Sequence, residues 1–318
     1  HNPKNPNWIN RDRFVLSNGH GSMLLYSLLH LTGYKLSIDD IKDFRQLNSI
    51  TPGHPECDIT PGVETTTGPL GQGLANAVGM ALAEKSLASE FNKKDHNLID
   101  HYTYVFSGDG CLMEGISHEV CSLAGTLGLN KLILIYDMNN ISIDGDTSIA
   151  FTENIKKRFD SYGWNVIDNV DGHDFSSIEQ SISRAKRETS RPTIICMKTT
   201  IGFGAPNKEG TSGIHGAPLG ESEVQLTRKN LGWKFEPFHI PKYIYNEWDA
   251  TVFGKNLEKS WNKELASYKK SYPKLYAELQ RRLKNKRPSI LTKKIDFLIE
   301  NNDKSMATRK SSQVVLEH

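Results

Sequence analysis

The chain is 318 residues long, and its 39 basic and 37 acidic residues leave a net charge of only +2. This length predicts one α/β domain with an additional part, and the balanced charge argues against a nucleic-acid partner. The sequence lacks the 18-residue apolar run of a membrane span. Its four cysteines have no paired spacing, which indicates reduced thiols in a cytoplasmic protein.

The first quarter of the chain alternates apolar segments with glycine-rich segments. Residues 14–16 predict a short strand, and residues 19–31 predict an apolar helix that ends before Gly33. Ser37 is a suitable N-cap for the next helix. Residues 51–73 form a long loop rich in proline and glycine, and loops of this length in compact domains are usually functional or disordered. Residues 74–91 predict a strong helix.

The centre of the chain predicts a strand–helix–strand crossover. Residues 102–106 and 131–136 are short apolar runs typical of buried parallel strands, and residues 114–129 have apolar side chains at helical spacing. Asp109 and Asn139 directly follow the two strands. Because ligands of such sheets collect at the carboxyl ends of the strands, we expect both residues at a binding site.

A carboxylate and an amide oxygen, with a backbone carbonyl nearby, would supply half of the oxygen shell of Mg²⁺, and phosphate oxygens and water would supply the rest. Gly108 and Gly110 flank Asp109 and would let a diphosphate approach the backbone. The alternative is that Gly-Asp-Gly and Asn-Asn are ordinary turn sequences. Their position after two successive strands favours the metal and diphosphate site.

The alternation of helix and strand continues to the end of a first domain. Helices are predicted at residues 152–162, 176–189 and 221–231, strands at 164–170 and 192–200, and a glycine- and proline-rich loop at 201–220. The pattern predicts an α/β fold with a doubly wound, mostly parallel sheet and helices on both faces. We place this domain at residues 1–236 and a helical connector at residues 237–304.

Three histidines lie in turns bounded by glycine or proline: His20, His54 and His215. An imidazole there can donate a hydrogen bond to a diphosphate or a sugar hydroxyl, and it can relay a proton. The rival interpretation is a metal site built from the three histidines. Their spacing does not match a helical zinc signature, which disfavours that rival.

Several motifs occur in an order that resembles the transketolase family of thiamine-diphosphate enzymes. They are Ser17-Asn18-Gly19-His20-Gly21, Thr51-Pro52-Gly53-His54-Pro55, GVETTTGPLGQG at 62–73, GDGCLMEGIS at 108–117, ISIDG at 141–145, IGFGAPN at 201–207 and HGAP at 215–218. The resemblance implies the diphosphate-binding domain of the thiamine-diphosphate-binding fold. Residues 305–318 resemble the start of that family's pyrimidine-binding domain.

The resemblance also implies roles for individual residues. His20, His54 and His215 would contact cofactor and substrate and take part in catalysis, with His215 moving protons. Glu114 would face the partner subunit near the pyrimidine. The other implied cofactor contacts are Gly68, Pro69 and Leu70 at the aminopyrimidine, Gly110 and Asn139 at the diphosphate, and Ile143 against the bent cofactor. The implied metal ligands are Asp109, Asn139 and the carbonyl of Ile141.

The family's activity transfers a two-carbon ketol unit from a ketose phosphate to an aldose phosphate through thiamine diphosphate. The cofactor is held with Mg²⁺, for which Ca²⁺ or Mn²⁺ could substitute, in a homodimer whose active site lies at the subunit interface. The family's activating glutamate and its phosphate-binding arginines would follow residue 318. We therefore expect this chain to be the diphosphate and metal half and to be inactive alone.

Two alternatives to this function stay open. One is a related thiamine-diphosphate enzyme with another donor or acceptor, such as formaldehyde or pyruvate. The other is a cofactor-binding subunit without catalytic activity. The sequence also departs from the family at Met138 and Asn140, where aspartate and glycine are commoner. Asn140 would have to adopt the backbone conformation that a glycine would have had.

Overall fold

The computed structural model describes residues 1–301 and 305–317. Its chain divides into two compact units, His1–Trp261 and Asn262–His318. The first unit contains the sheet and the second contains helices only, within the described residues. The predicted division into residues 1–236, 237–304 and 305–318 stays a prediction. Residues 302–304 and 318, which include one of the predicted boundaries, lie outside the described residues.

The central sheet of the first unit is parallel throughout and has the strand order β1–β2–β3–β7–β6. Its strands are β1 (Arg13–Leu16), β2 (Thr103–Gly108), β3 (Leu132–Met138), β6 (Asn165–Asp171) and β7 (Thr193–Lys198). A small antiparallel hairpin after β3 consists of β4 (Ile141–Ser142) and β5 (Gly145–Asp146). The predicted α/β fold with a parallel sheet is confirmed.

Helices connect the strands and continue beyond the sheet. Those of the first unit are α1 (Ser22–Thr32), α2 (Ile38–Lys42), α3 (Gln72–Phe91), α4 (Asp109–Met113), α5 (Gly115–Thr126), α6 (Ile155–Ser161), α7 (Phe175–Arg187), α8 (Glu221–Asn230) and α9 (Lys242–Trp248). Helix α10 (Thr251–Ser271) crosses from the first unit to the second, which continues with α11 (Pro273–Leu283), α12 (Ser289–Glu300) and α13 (Thr308–Glu317). None of the described helices combines the length and apolar composition that a membrane crossing needs.

Both faces of the sheet are covered, as the continuous apolar strands predict. In β3, Leu134 and Tyr136 pack into the core on the side of α3 and α5. The alternate residues Ile133 and Ile135 pack into a second core on the side of α7. Successive side chains of a strand point to opposite faces, so one apolar run serves two cores. Helix α1 contributes Leu25 to a third core beside β1.

The ends of the central helix differ from the prediction for residues 114–129. Two helices are present, α4 and α5, and Glu114 between them has an extended backbone with φ −67° and ψ 138°. Ser117 stabilises the break, because its hydroxyl donates to the carbonyl of Cys111 at 2.5 Å. The helix predicted at residues 114–129 is therefore α5, which begins one residue later and ends at Thr126. The short helix α4 before Glu114 was not predicted.

Other local predictions follow from capping chemistry. Ser37 is the N-cap of α2 and forms a capping box with Asp40, as predicted. The turn Gly19–Gly21 is a separate 3₁₀ turn before α1, so the helix begins three residues later than expected. Helix α6 begins at Ile155 and not at residue 152, because the Asn154 side chain accepts a hydrogen bond from the Lys157 amide at 2.9 Å.

Two helical glycines, one in α3 and one in α5, test how closely these helices pack. An added Cβ at Gly125 in α5 would lie 1.7 Å from the carbonyl oxygen of Tyr162, whereas one at Gly79 in α3 would meet no atom within 4 Å. We expect Gly125→Ala to lower the free energy of unfolding by about 1–3 kcal/mol through overpacking. We expect Gly79→Ala to raise it by about 0.5–1 kcal/mol, because alanine loses less backbone entropy.

Urea unfolding of both purified variants, followed by circular dichroism, measures these two changes. A Gly125→Ala protein as stable as Gly79→Ala would contradict the close packing of α5 on residue 162.

Candidate active site

A cavity of about 490 Å³ opens at the carboxyl ends of β1, β2 and β3. It is lined by most of the predicted site residues, namely His20, Gly68, Leu70, Asp109, Gly110, Glu114, Asn139, Ile141, Ile143 and His215. Its size is in the usual range for small-molecule sites. Strand ends and the loops that follow them therefore bring together residues that are far apart in the sequence.

Two predicted residues, His54 and Pro69, are outside the lining of this cavity. Side-chain atoms of His54 lie 3.6–3.8 Å from the position that a Cβ on Gly68 would occupy, so the exposed His54 lies next to a residue of the cavity lining. Pro69 is exposed to solvent.

The Asp109 side chain is fixed at the floor of the cavity. Strand β2 ends at Gly108, Asp109 begins α4, and the Asp109 residue is only 4% exposed. One carboxylate oxygen accepts a hydrogen bond from the hydroxyl of Tyr136, and the other accepts one from the backbone amide of Asn140 at 3.0 Å. Burial raises the pKa of Asp109, and the two hydrogen bonds oppose that rise.

Tyr136 is a site residue that the sequence did not single out. Its side chain lies on the side of β3 that is covered by α3 and α5, and the residue is 2% exposed. Burial and the neighbouring Asp109 carboxylate both raise the pKa of Tyr136, so its hydroxyl keeps the proton that it donates. Two-residue alternation along β3 was the available signal for the direction of its side chain, but its contact with Asp109 depends on the pairing of β2 with β3.

The chain turns sharply after β3 at Asn140, whose φ is 59°. This left-handed conformation, expected from the sequence, directs the Asn140 amide at Asp109. The side-chain oxygen of Asn139 accepts from the Ile141 amide at 3.0 Å, and its amino group donates to Asp137 at 3.3 Å. The amide of Asn139 is therefore oriented by two protein partners.

Two of the three histidines are in direct contact. The rings of His20 and His215 stack with their centroids 4.9 Å apart and an interplanar angle of 29°. Partial burial lowers the pKa of His20, and charge on His215 or His54 would lower it further. No group of three or more His, Cys, Asp or Glu in the described residues is arranged to hold a metal, which disfavours the histidine metal site.

Three polar side-chain atoms near the cavity are buried without a hydrogen-bond partner among the described residues: Asn18 Oδ1, Thr67 Oγ1 and His215 Nδ1. Asn18 and His215 line the cavity, and Thr67 precedes the lining residue Gly68. An unsatisfied buried group costs on the order of 1–3 kcal/mol. The atoms of Asn18 and His215, which belong to lining residues, therefore fit a ligand with polar groups.

The loop before α3 approaches the site closely enough to require glycine. At Gly71, φ is 79°, and an added Cβ would lie 2.9 Å from the Cβ of Glu114. At Gly110, it would lie 2.9 Å from the side chain of Leu70. Glu114 itself is exposed and makes no capping hydrogen bond to α5. Its carboxylate is thus available to a neighbour at the open side of the cavity.

Comparison with known proteins identifies the family of the chain. Residues 1–288 match the family model described as transketolase, thiamine diphosphate binding domain. The chain is 62% identical over 320 residues to a transketolase of Buchnera aphidicola subsp. Schizaphis graminum and 58% identical to transketolase 1 of Escherichia coli. Each alignment covers 100% of this chain and 48% of the relative. The chain therefore spans about half the length of these curated relatives.

Solved structures show the same relationship. The chain matches a crystal structure of transketolase from Pichia stipitis in complex with sedoheptulose-7-phosphate, with a TM-score of 0.89 and 49% identity. That match covers 92% of this chain and 44% of the solved chain. On the family match and on these identities, the chain belongs to the transketolase thiamine diphosphate binding domain family.

Proposed function

We propose that the protein containing this chain is a transketolase that transfers a two-carbon ketol unit from a ketose phosphate to an aldose phosphate through thiamine diphosphate. The observation that carries the proposal is the single cavity where the buried carboxylate of Asp109, the amide of Asn139 and the stacked pair His20 and His215 meet. A hard cation site and two imidazoles in one cavity suit a diphosphate cofactor beside a sugar.

The proposed cofactor and metal fit the residues present. Asp109, Asn139 and the carbonyl of Ile141 line one side of the cavity and would supply three oxygen ligands to Mg²⁺, or to Ca²⁺ or Mn²⁺. The metal would neutralise the diphosphate, and Gly110 would leave room for it. The unpartnered atoms of Asn18 and His215 would gain partners from the bound ligand.

The histidines would bind and orient the sugar. His20 and His215 both line the cavity and stack on each other, and His54 lies beside the lining residue Gly68. A neutral imidazole can donate one hydrogen bond and accept another, so His215 would hold or move a proton at a sugar hydroxyl. The sugar phosphate named in the solved Pichia stipitis complex supports this substrate class.

We further propose a homodimer with its active site at the subunit interface. Ile143 lines the cavity yet is 70% exposed, and the exposed Glu114 lines the same side. Both would be covered by a partner that completes the ring end of the cofactor site. A cytoplasmic location is supported by the four free cysteines of the described chain. This chain would then be the diphosphate and metal half of the enzyme.

The two alternatives have less support. A donor or acceptor other than a sugar phosphate, and a subunit without catalytic activity, are each compatible with the metal and diphosphate residues. Neither accounts as well for the stacked histidines beside the cofactor position. The solved relatives with bound xylulose-5-phosphate and sedoheptulose-7-phosphate favour ketol transfer between sugar phosphates.

The metal assignment predicts the effect of Asp109→Asn. This change keeps the shape of the side chain and removes the charge that would bind the cation. In the full-length protein we expect Mg²⁺-dependent affinity for thiamine diphosphate to fall by at least about tenfold. Mutating a residue that only orients a metal ligand already lowers metal affinity by about tenfold or more. Calorimetric titration of the cofactor with and without Mg²⁺ measures it.

Asp144→Asn is the matched control. Asp144 is an exposed carboxylate in the β4–β5 hairpin, which also carries the proposed ligand Ile141, but it does not line the cavity. We expect wild-type affinity from this variant. Wild-type affinity in Asp109→Asn would show that the metal site lies elsewhere.

The role of His215 predicts a different pattern for His215→Ala. Because a proton-moving group acts on the reacting sugar, we expect turnover to fall on the order of a hundredfold. The dissociation constant of thiamine diphosphate should change far less. Steady-state kinetics with xylulose 5-phosphate and ribose 5-phosphate, together with cofactor titration, separates the two quantities.

The control is His239→Ala, since His239 is exposed and stacks on Phe235 away from the cavity lining. Unchanged turnover in His215→Ala, accompanied by weaker cofactor binding, would assign His215 to cofactor binding alone.

A further inference from the structure

The segment that carries His54 has no helix or strand, yet six successive carbonyls in it have hydrogen-bond donors. Between α2 and α3, residues 43–71 form neither element. Each backbone carbonyl of residues 50–55 lies within hydrogen-bond distance of a donor, either in α1 or elsewhere in the same segment. Loop carbonyls that lack a ladder need partners of this kind when they are buried.

Helix α1 supplies the partners for the three residues that end in His54. The hydroxyl of Tyr26 donates to the carbonyl of Pro52 at 2.8 Å, and it also lies 3.3 Å from the carbonyl of His54. The hydroxyl of Ser22 donates to the carbonyl of Gly53 at 2.9 Å. Helix α1 therefore holds the carbonyls of Pro52 and Gly53 directly, and the carbonyl of His54 shares the single hydroxyl proton of Tyr26.

Both donors are rigidly placed. Tyr26 and Ser22 are 0% exposed, and Tyr26 packs in the core with Leu25 and Leu29 of the same helix. Burial raises the pKa of Tyr26 to about 12, so the hydroxyl remains protonated at working pH. A buried side chain with a fixed rotamer transmits its position to the groups that it binds.

The same helix also carries the other end of the site. The turn Gly19–Gly21, which contains His20, leads directly into α1 at Ser22. Both histidines are thus attached to the N-terminal part of α1: His20 through the preceding turn of the chain, and His54 through the hydrogen bonds made by Ser22 and Tyr26.

We propose that Tyr26 is a positioning residue for His54, holding the backbone of residues 52–54 so that the imidazole stays beside Gly68 at the edge of the proposed substrate site. The inference rests on the proposed function, because it assigns Tyr26 an effect only through His54. Ser22 acts on the same turn through Gly53.

The test uses Tyr26→Phe in the full-length enzyme, which removes only the hydroxyl. Small displacements of a positioned group reduce rates by up to about a hundredfold, and one of several anchors is lost here. We expect kcat/KM for xylulose 5-phosphate and ribose 5-phosphate to fall about tenfold. The dissociation constant of thiamine diphosphate should stay within about twofold of wild type.

A double-mutant cycle with His54→Ala separates positioning from general destabilisation. In the His54→Ala background, Tyr26→Phe should change kcat/KM by less than about twofold, because the group that it positions is absent. An equal loss in both backgrounds would overturn the inference and leave the proposed function standing. If His54→Ala alone leaves kcat/KM unchanged, the assigned role of His54 fails, and the inference fails with it.

Tyr245→Phe is the matched control. The Tyr245 hydroxyl is bonded to His30 Nε2 at 2.8 Å near the other end of α1, so this variant also loses one hydroxyl bond to the helix. We expect its kcat/KM to equal that of wild type. If Tyr26→Phe does not fold, the same double-mutant cycle is measured with Ser22→Ala. A loss of kcat/KM that disappears in the His54→Ala background supports the positioning of residues 52–54 by α1, and an equal loss in both backgrounds overturns it.

Discussion

The buried carboxylate of Asp109 joins the ends of two neighbouring strands, and the site is organised around this link. It accepts from the Tyr136 side chain on β3 and from the Asn140 backbone just beyond that strand. A buried carboxylate is costly unless it is hydrogen-bonded or paired with a cation. The two donors satisfy part of this requirement, and burial still raises the pKa of Asp109. Under the proposed function, a bound divalent cation would supply the missing charge.

Sequence patterns predicted the elements around this link better than the contacts between them. Apolar runs located β2 and β3, so Asp109 and Asn139 were correctly placed just after the strands. The order of the sheet, in which β7 lies between β3 and β6, is a long-range property that periodicity does not contain. The same holds for the stacking of His20 on His215, which depends on loops from distant strands meeting at one sheet edge.

Several remaining features of the structure, some expected from the sequence and some not, have local explanations. The left-handed backbone of Asn140 was expected from the resemblance, because the transketolase family commonly has glycine at this position, and its φ of 59° agrees. The short helix α4 was not predicted, because its five residues are too few to show an apolar period. The anchoring of residues 52–54 was also missed. It depends on hydroxyls of α1 reaching across about thirty residues of sequence to a loop without regular structure.

We propose above that Asp109, Asn139 and the Ile141 carbonyl hold the cation of a diphosphate cofactor. A crystal structure of the full-length protein with thiamine diphosphate and Mn²⁺, with data collected at the manganese absorption edge, tests this assignment directly. We expect one anomalous peak per site, within bonding distance of those three oxygens and of the diphosphate. A peak bound by other residues, or ordered diphosphate in this cavity with no peak beside Asp109, would contradict it.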